Sequence, residues 1–485
     1  MEFNILNLLN PKNTSISREA VAELLRVSPE ALAAFEQAYQ KAALEQPGEG
    51  FFDINSRQAV AASANIAPTD ITDDVVALVD RIVAELLAQT RTYVFNGNLG
   101  VTKSFPALPD GTAAVKSEDI ISLPKDLQPQ LSGTLMKVDI ATPSYPHLLW
   151  YYKRFLTEKS ETKRKDAYHH FRQGLDILDL DPVTYEIIGT NPNSMGFWLP
   201  KLVNACMGQD YFKIPATTVA KVPMSLLQLT RQEYGEMTKI TLAIVDKWAH
   251  EAFALNDDKE YFIKTGTYSS KFDFRNAYVH GPKEVRELGE YLLFIHYQAL
   301  QMASPLCTPC IYGVSTTNEW VVREFIQDKE NNPCIYKGLP LHTEYRVFVD
   351  CDWDEVIGIT PYWEPETMKK RFGHSEDSNS PHQIHDYVIY LAHEEALMGR
   401  YHKNKDAVVE HIKSILPNLD LHGQWSIDIM QNGDDFWIID MALAENSAFY
   451  NCVPEHLRKP SKEDWIPQLP NITEEEKSHE NNNDQ

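Results

Sequence analysis

Residues 425–440 of this 485-residue chain, WSIDIMQNGDDFWIID, leave little freedom to whatever fold contains them. Two runs rich in Ile, Trp and Phe flank Asn432-Gly433, a dipeptide that favours the tight turn of a β-hairpin. Side chains alternate faces along a strand, so a one-residue change of pairing moves an apolar set from core to solvent. A three- or five-residue loop pairs Ile429 with Trp437 and Ile427 with Ile439 and makes one wholly apolar face. The other face then carries Ser426, Asp428, Met430, Phe436, Ile438 and Asp440. A two- or four-residue loop scatters the apolar residues and separates the aspartates. Burial therefore favours the odd loop, with Asp428 and Asp440 diagonal to one another and their Cβ atoms roughly 7 Å apart or less. Carboxylates that close on a half-buried sheet repel unless a cation lies between them. Hard oxygen ligands of this kind suit Mg²⁺, which is held by a few carboxylates and a nucleotide's phosphates.

Two further segments carry charge where sheet is expected. In HTEYRVFVD, Tyr345, Val347 and Val349 share one face, while Glu344, Arg346, Phe348 and Asp350 share the other. A planar guanidinium there suits a phosphate or carboxylate. In YFIKTGTYSSKFDFRN, a short strand from Tyr261 delivers Lys264 at its end. The loop Thr265 to Ser270 follows, then Lys271 and Arg275. Small residues let backbone N–H groups approach phosphate oxygens, and flanking cations neutralise them. The spacing is not that of a Walker P-loop. Gly266 also stands where the adenylated lysine of nucleic-acid ligases is followed by Asp. Between these segments, EWVVREFI predicts a strand ending in Glu324, Phe325 and Ile326, whose backbone can meet an adenine edge before the polar connector QDKENNP.

The surrounding chain is read more coarsely. Residues 1–125 have helical periodicity, with starts at Ser15 or Ser17, at Ser28 followed by Pro29, and at Thr72 or Asp73. The stretch 15–45 reads as a packed helical hairpin, with a DNA-reading helix-turn-helix as the alternative. Residues 104–145 have linker composition. Runs of both types alternate from about 146, and the tail from 456 to 485 is polar, acidic and expected to be disordered. A net charge of −24 argues against broad binding to nucleic acid or to anionic membranes. Six cysteines are too few for a disulfide scaffold. No signal peptide or membrane span is legible, so a cytoplasmic protein is expected. Cys307 and Cys310 read as buried thiols, and the loosely spaced His382, His385 and His393 are assigned no metal.

The order of these features resembles the ATP-grasp superfamily, in which two α+β subdomains clasp ATP. The motifs VVREFI, TEYRVFV and SIDIM…WIIDMA are most similar to those of the cell division cycle protein 123-like branch and related bacterial ATP-grasp proteins. The resemblance covers about 246–452. It implies an ATP-grasp domain over 246–455; with a smaller α/β pre-domain over 126–245 and the helical N-terminal region to 125, which lies outside the resemblance, an α+β fold is expected. Residues 191–223 resemble the segment that precedes many such domains.

Carried onto this chain, the resemblance gives Lys264 to the nucleotide phosphates, with Lys271 or Arg275 assisting from the loop whose Ser269 and Ser270 are the small-residue candidates. It gives Glu324, Phe325 and Ile326 to the adenine pocket, Arg346 to the γ-phosphate or the acceptor, and Asp428 and Asp440 to Mg²⁺. The family's metal asparagine is replaced by Ala442, which leaves Asn446, or Glu445 beside it, as the substitute ligand. The implied activity is an ATP- and Mg²⁺-dependent ligase joining a carboxylate to an amine or similar nucleophile. An ATP-binding assembly factor acting on a protein partner is the alternative.

Overall fold

The computed structural model describes residues 73–95, 101–104, 158–160, 162–164, 166–167, 185, 188–189, 191–231, 239–303, 317–372 and 381–459. The helix-turn-helix candidate, most of the linker, the cysteines at 307 and 310 and most of the acidic tail lie outside them. The described chain is a mixed α+β structure built on two sheets. Its principal elements in order are α1 (Asp73–Ala88), β1 (Arg91–Phe95), β2 (Val101–Ser104), α2 (Met195–Ala205), β3 (Phe212–Lys213), β4 (Thr217–Lys221), α3 (Lys239–Ala252), β5 (Tyr261–Thr265), β6 (Tyr278–Val279), α4 (Leu288–Ala303), β7 (Glu319–Glu324), β8 (Cys334–Ile335), β9 (Leu339–Pro340), β10 (Thr343–Asp350), β11 (Glu355–Pro361), α5 (Pro381–Ile415), β12 (Gln424–Asn432) and β13 (Asp435–Leu443). Among the described residues no helix is long and apolar enough to cross a membrane.

The first sheet has the order β2-β1-β4-β7-β5-β6 and is antiparallel throughout. On one face Ala220, Ile263, Trp320 and Val322 pack against α1, α3 and α4 in a continuous apolar core. Helix α1 contributes Ile82, Val83, Leu86 and Leu87, two pairs one turn apart, all at most 1% exposed. This one sheet draws strands from all three of the expected segments. Arg91–Phe95 and Val101–Ser104, expected to be helical or linker, are two strands of this sheet, and β4, from the expected pre-domain, lies centrally between β1 and β7. Backbone hydrogen bonds of the ladder outweigh local helical periodicity, and sequence distance sets no limit on which strands pair.

The second sheet has the order β11-β10-β12-β13-β3, antiparallel except where β3 joins β13 in parallel. Its core face holds Tyr345, Val347, Val349, Ile427 and Ile429 against Tyr401, Val408 and Ile412 of α5. The same core includes Met195, Trp198, Leu199 and Leu202 of α2 and Val219 and Val321 from the other face of the first sheet. Helix α2 is thus the joint between the sheets.

The β12–β13 hairpin corrects the expected loop. Asn432 pairs with Asp435, so the turn has two residues, Gly433 and Asp434. Gly433 takes φ +65°, which costs a glycine nothing and suits a two-residue hairpin turn. The register then shifts between Ile429 and Asp428: Ile429 opposes Ile438, and Asp428 opposes Asp440, so Ile439 is the extra residue of a β-bulge. The bulge recovers what an even loop would forfeit. Ile427, Ile429, Ile438 and Met441 are all buried to 2% exposure or less, and Asp428 still shares a face with Asp440, directly opposite rather than diagonal. Trp437, expected in the core, pairs with Met430 instead and lies 5.6 Å from the Lys213 ammonium. The turn chemistry determined the loop, and the bulge repaired the burial.

Candidate functional site

The outer face of the second sheet and the end of β5 enclose a cleft of two connected chambers. Both are lined by Ser269, Lys271, Asp428 and Asp440. The first continues past Lys264, Arg323 and Glu344 to Phe262, Phe274, Glu324, Phe325, Ile326, Leu339 and Pro340. It spans about 880 Å³ of empty space, its open mouth included. The second continues to Asn193, Thr267, Arg346, Ser426, Ala442, Asn446 and Ser447, and spans about 650 Å³ on the same measure. One chamber is therefore an apolar slot with charges at its inner end. The other is walled by hydroxyls and amides.

Two ion pairs stand where the chambers meet. Arg346 and Asp428 are cross-strand neighbours of β10 and β12. Arg346 Nε donates to Asp428 Oδ1 at 2.7 Å and Nη2 to Oδ2 at 2.6 Å, a buried two-pronged pair. Nη1 donates to the Ala448 carbonyl at 3.2 Å. Lys264 Nζ donates to Asp440 Oδ2 at 2.9 Å, linking the first sheet to the second. Burial pulls the Lys264 ammonium below its usual range, and Asp440 opposes that shift. A second link between the sheets is Arg323 Nη1 to the carbonyl of the bulged Ile439, at 2.5 Å. The charged face of β10 thus meets the cleft through Glu344 and Arg346. Farther along, Asp350 accepts from Gln424 at 3.0 Å and from Lys459 at 2.5 Å, outside the cleft.

The cleft takes in most of the loop anticipated to bind phosphate. Lys271 hydrogen-bonds the Tyr362 hydroxyl, and the Arg346 guanidinium stands 4.9 Å from the same ring. Gly266 is enforced by crowding: a Cβ there would lie 2.2 Å from Ser194 Oγ and 3.0 Å from Glu319 and Thr317 oxygens. Two residues of the expected set lie elsewhere. Ser270 is buried and donates to Gln298 of α4 at 2.9 Å. The mostly exposed Arg275 pairs with Asp273 at 3.0 Å and lines neither chamber. A 3₁₀ segment, Lys271–Asn276, turns the chain away after Lys271, so residues adjacent in sequence face different ways. Glu324, Phe325 and Ile326 all line the slot, and Phe325 packs on Tyr278 with ring centroids 4.2 Å apart.

Glu344 is 8% exposed, and its pKa is pushed up to about 7, by burial first, with Lys271 pulling it down and Asp428 pushing it up. A carboxyl whose folded pKa exceeds its ordinary 4.5 keeps its proton in the folded state while the unfolded chain has lost it. Stability therefore falls as pH rises between about 4.5 and about 7, and is flat above. Glu344→Gln is expected to remove this slope and to raise stability at pH 8, by at most about 3 kcal/mol at roughly 1.4 kcal/mol per pKa unit. Urea denaturation of both proteins at pH 5 and pH 8 measures it; parallel slopes would contradict the assignment.

The donors at the junction of the chambers suit a divalent cation. Asp428 and Asp440 present hard oxygens from directly opposed positions, and Asn446, whose carboxamide carries a further oxygen, lines the same chamber. Among the described residues no group of three or more His, Cys, Asp or Glu side chains is placed to hold a metal ion. The set fits a cation that takes two carboxylates and fills its remaining positions from a ligand's oxygens and water, the habit of Mg²⁺.

Sequence reasoning missed Asn193 and Arg323. Asn193 precedes α2 and is brought to the chamber from about 250 residues away, with no local motif to mark it. Arg323 stands in the quoted strand EWVVREFI, and an arginine among apolar neighbours was the available signal. It is 4% exposed, and burial lowers its pKa to about 10 while Asp440 opposes the shift.

No family model matches this chain, and no curated protein matches it. Among solved structures it is similar to Cdc123 from Schizosaccharomyces pombe, at a TM-score of 0.32 and 14% identity over 57% of this chain and 94% of that one. The C-terminally truncated form of the same protein gives a TM-score of 0.32 and 13% identity over the same shares. A likeness of that degree leaves the geometry of the cleft to carry the functional reading.

Proposed function

We propose that this chain is an ATP- and Mg²⁺-dependent ligase of the ATP-grasp type. The observation that carries the reading is the opposed pair Asp428 and Asp440, each neutralised by a cation, at the junction of an apolar slot and a polar chamber. Adenine would occupy the slot beside Glu324, Phe325 and Ile326. Lys264, Lys271 and Ser269 would meet the phosphates. Asp428, Asp440 and Asn446 would hold Mg²⁺, which supplies charge neutralisation at the phosphate oxygens. Arg346, on the wall of the polar chamber beside Asp428, would face the terminal phosphate and the acceptor.

In that arrangement a carboxylate oxygen of the acceptor attacks the γ-phosphorus, the bond to the bridging oxygen breaks, and ADP leaves. An amine then attacks the acyl-phosphate: the C–N bond forms, inorganic phosphate leaves with the electron pair of the broken C–O bond, and the nitrogen releases a proton to water. The residues' contribution is orientation and fixed positive charge, with no protein nucleophile required. Incubation of the full chain with Mg-ATP and pools of amino acids, peptides and dicarboxylates is expected to release ADP only when an acceptor is present. Absence of ATP binding by calorimetry would refute the reading.

The second reading, an ATP-binding assembly factor without turnover, is favoured by Ala442, which lines the chamber at the position where the family supplies an asparagine. ATP binding with no ADP release on any pool, together with a co-purifying protein, would support it.

A further inference from the structure

Asn193 makes more hydrogen bonds than a residue that merely precedes a helix requires. Its Oδ1 accepts from the Leu443 backbone N–H at 2.7 Å, and its Nδ2 donates to Asn446 Oδ1 at 3.1 Å. Its own backbone is tied as well: its N–H donates to Asn191 Oδ1 at 3.0 Å, and its carbonyl accepts from the Trp198 indole at 3.3 Å. These bonds settle two amide orientations that heavy-atom positions alone leave open. A backbone N–H can only donate, so the atom of Asn193 facing Leu443 is the oxygen. Its other end is then the NH₂ group, which can only donate, so the atom of Asn446 facing it is an oxygen too. An amide oxygen has two acceptor lone pairs, and this bond uses one.

The anchoring continues on the other side. Ser194 Oγ donates to the buried Glu319 carboxylate at 2.5 Å, the Gly196 N–H donates to the same oxygen at 2.9 Å, and the Met195 N–H donates to the Gly266 carbonyl at 2.9 Å. One short segment, Asn191–Gly196, therefore grips the loop that carries Lys271 and the turn that carries Asn446.

We propose that Asn193 is a positioning residue for the metal-side chamber: it fixes the carboxamide of Asn446, which thereby does in this chain what an asparagine at position 442 would do. The proposal rests on the nucleotide–metal reading above. Hydrogen bonds to groups that ligate a metal orient them, and their loss weakens metal binding by roughly 10–100-fold. A purely structural tie would secure the turn after β13 and leave metal affinity alone.

The test uses the full chain, Mn²⁺ as the metal probe and a non-hydrolysable ATP analogue, with bound Mn²⁺ read by electron paramagnetic resonance. Asn193→Ala and Asn446→Ala are each expected to weaken Mn²⁺ binding by roughly 10–100-fold. The double variant should be no weaker than Asn446→Ala alone, since one residue acts through the other. Ala442→Asn in the Asn446→Ala background should restore most of the lost affinity, and adding Asn193→Ala to that restored protein should change little. Losses that add, or a restored protein that still responds to Asn193→Ala, would overturn the proposal. Should Asn193→Ala fail to fold, the 442/446 exchange decides with Asn193 intact: unaltered Mn²⁺ affinity in Asn446→Ala refutes the inference while the nucleotide reading stands. A wild-type chain that binds neither the analogue nor Mn²⁺ refutes both.

Discussion

Asp428→Ala is expected to destabilise the ligand-free protein by about 3–5 kcal/mol, the usual cost of stranding one member of a buried ion pair. Arg346 is 9% exposed, and two of its three guanidinium nitrogens donate to Asp428. Without that carboxylate a permanently charged group is left in a half-dry cleft, with the Ala448 carbonyl and the Tyr362 ring beside it. Asp428→Asn keeps one acceptor oxygen and the side-chain volume, so its cost should be less than half as large. Both variants remove a ligand from the proposed metal set and should lose most Mg²⁺-dependent ATP affinity. Urea denaturation separates the two effects. Equal stability of Asp428→Ala and wild type would mean that the Arg346 pair is not a structural fixture of the cleft.

Lys264→Met should behave in the opposite way, with stability changing by less than about 1 kcal/mol while nucleotide affinity falls about 10- to 100-fold, the range of one charge-assisted hydrogen bond. The Lys264 side chain is 2% exposed, so its ammonium has given up its water for a single carboxylate. A methionine of similar length recovers that desolvation cost as apolar burial. The partner it leaves behind is not stranded, because the Asp440 side chain is 37% exposed and water can take the place of the ammonium. The phosphates have no such substitute. Calorimetric titration of ATP against Lys264→Met, alongside a thermal melt, checks both halves. A variant that binds ATP as wild type does would remove Lys264 from the site.

These predictions depend on unequal information in the sequence. The alternation of Tyr345, Val347 and Val349 against Glu344 and Arg346 was legible because strand geometry allows only two faces, and the structure keeps that division. The coming together of Asp428 and Asp440 was legible for the same reason, yet the route to it was not. Burial alone called for an odd loop, and the chain uses a two-residue turn corrected by a bulge at Ile439. A bulge leaves little trace in residue type, since its energy lies in ladder hydrogen bonds made with a partner strand. Arg275 and Ser270 were expected in the site with their loop, but a 3₁₀ segment carries Arg275 away from Lys271, and Ser270 turns inward to donate to Gln298.

What the sequence determined by itself is the local chemistry: strands with one apolar and one charged face, and a tight turn that places Gly433 at positive φ. What only the tertiary structure decided is which distant groups meet. Lys264 reaches Asp440 across 176 residues, and Asn193 reaches Asn446 across 253. The physical reason is that periodicity and turn propensity act over a few residues, whereas ion pairs and amide contacts are fixed by how two sheets pack about α2. That packing is a property of the whole core and of no single segment.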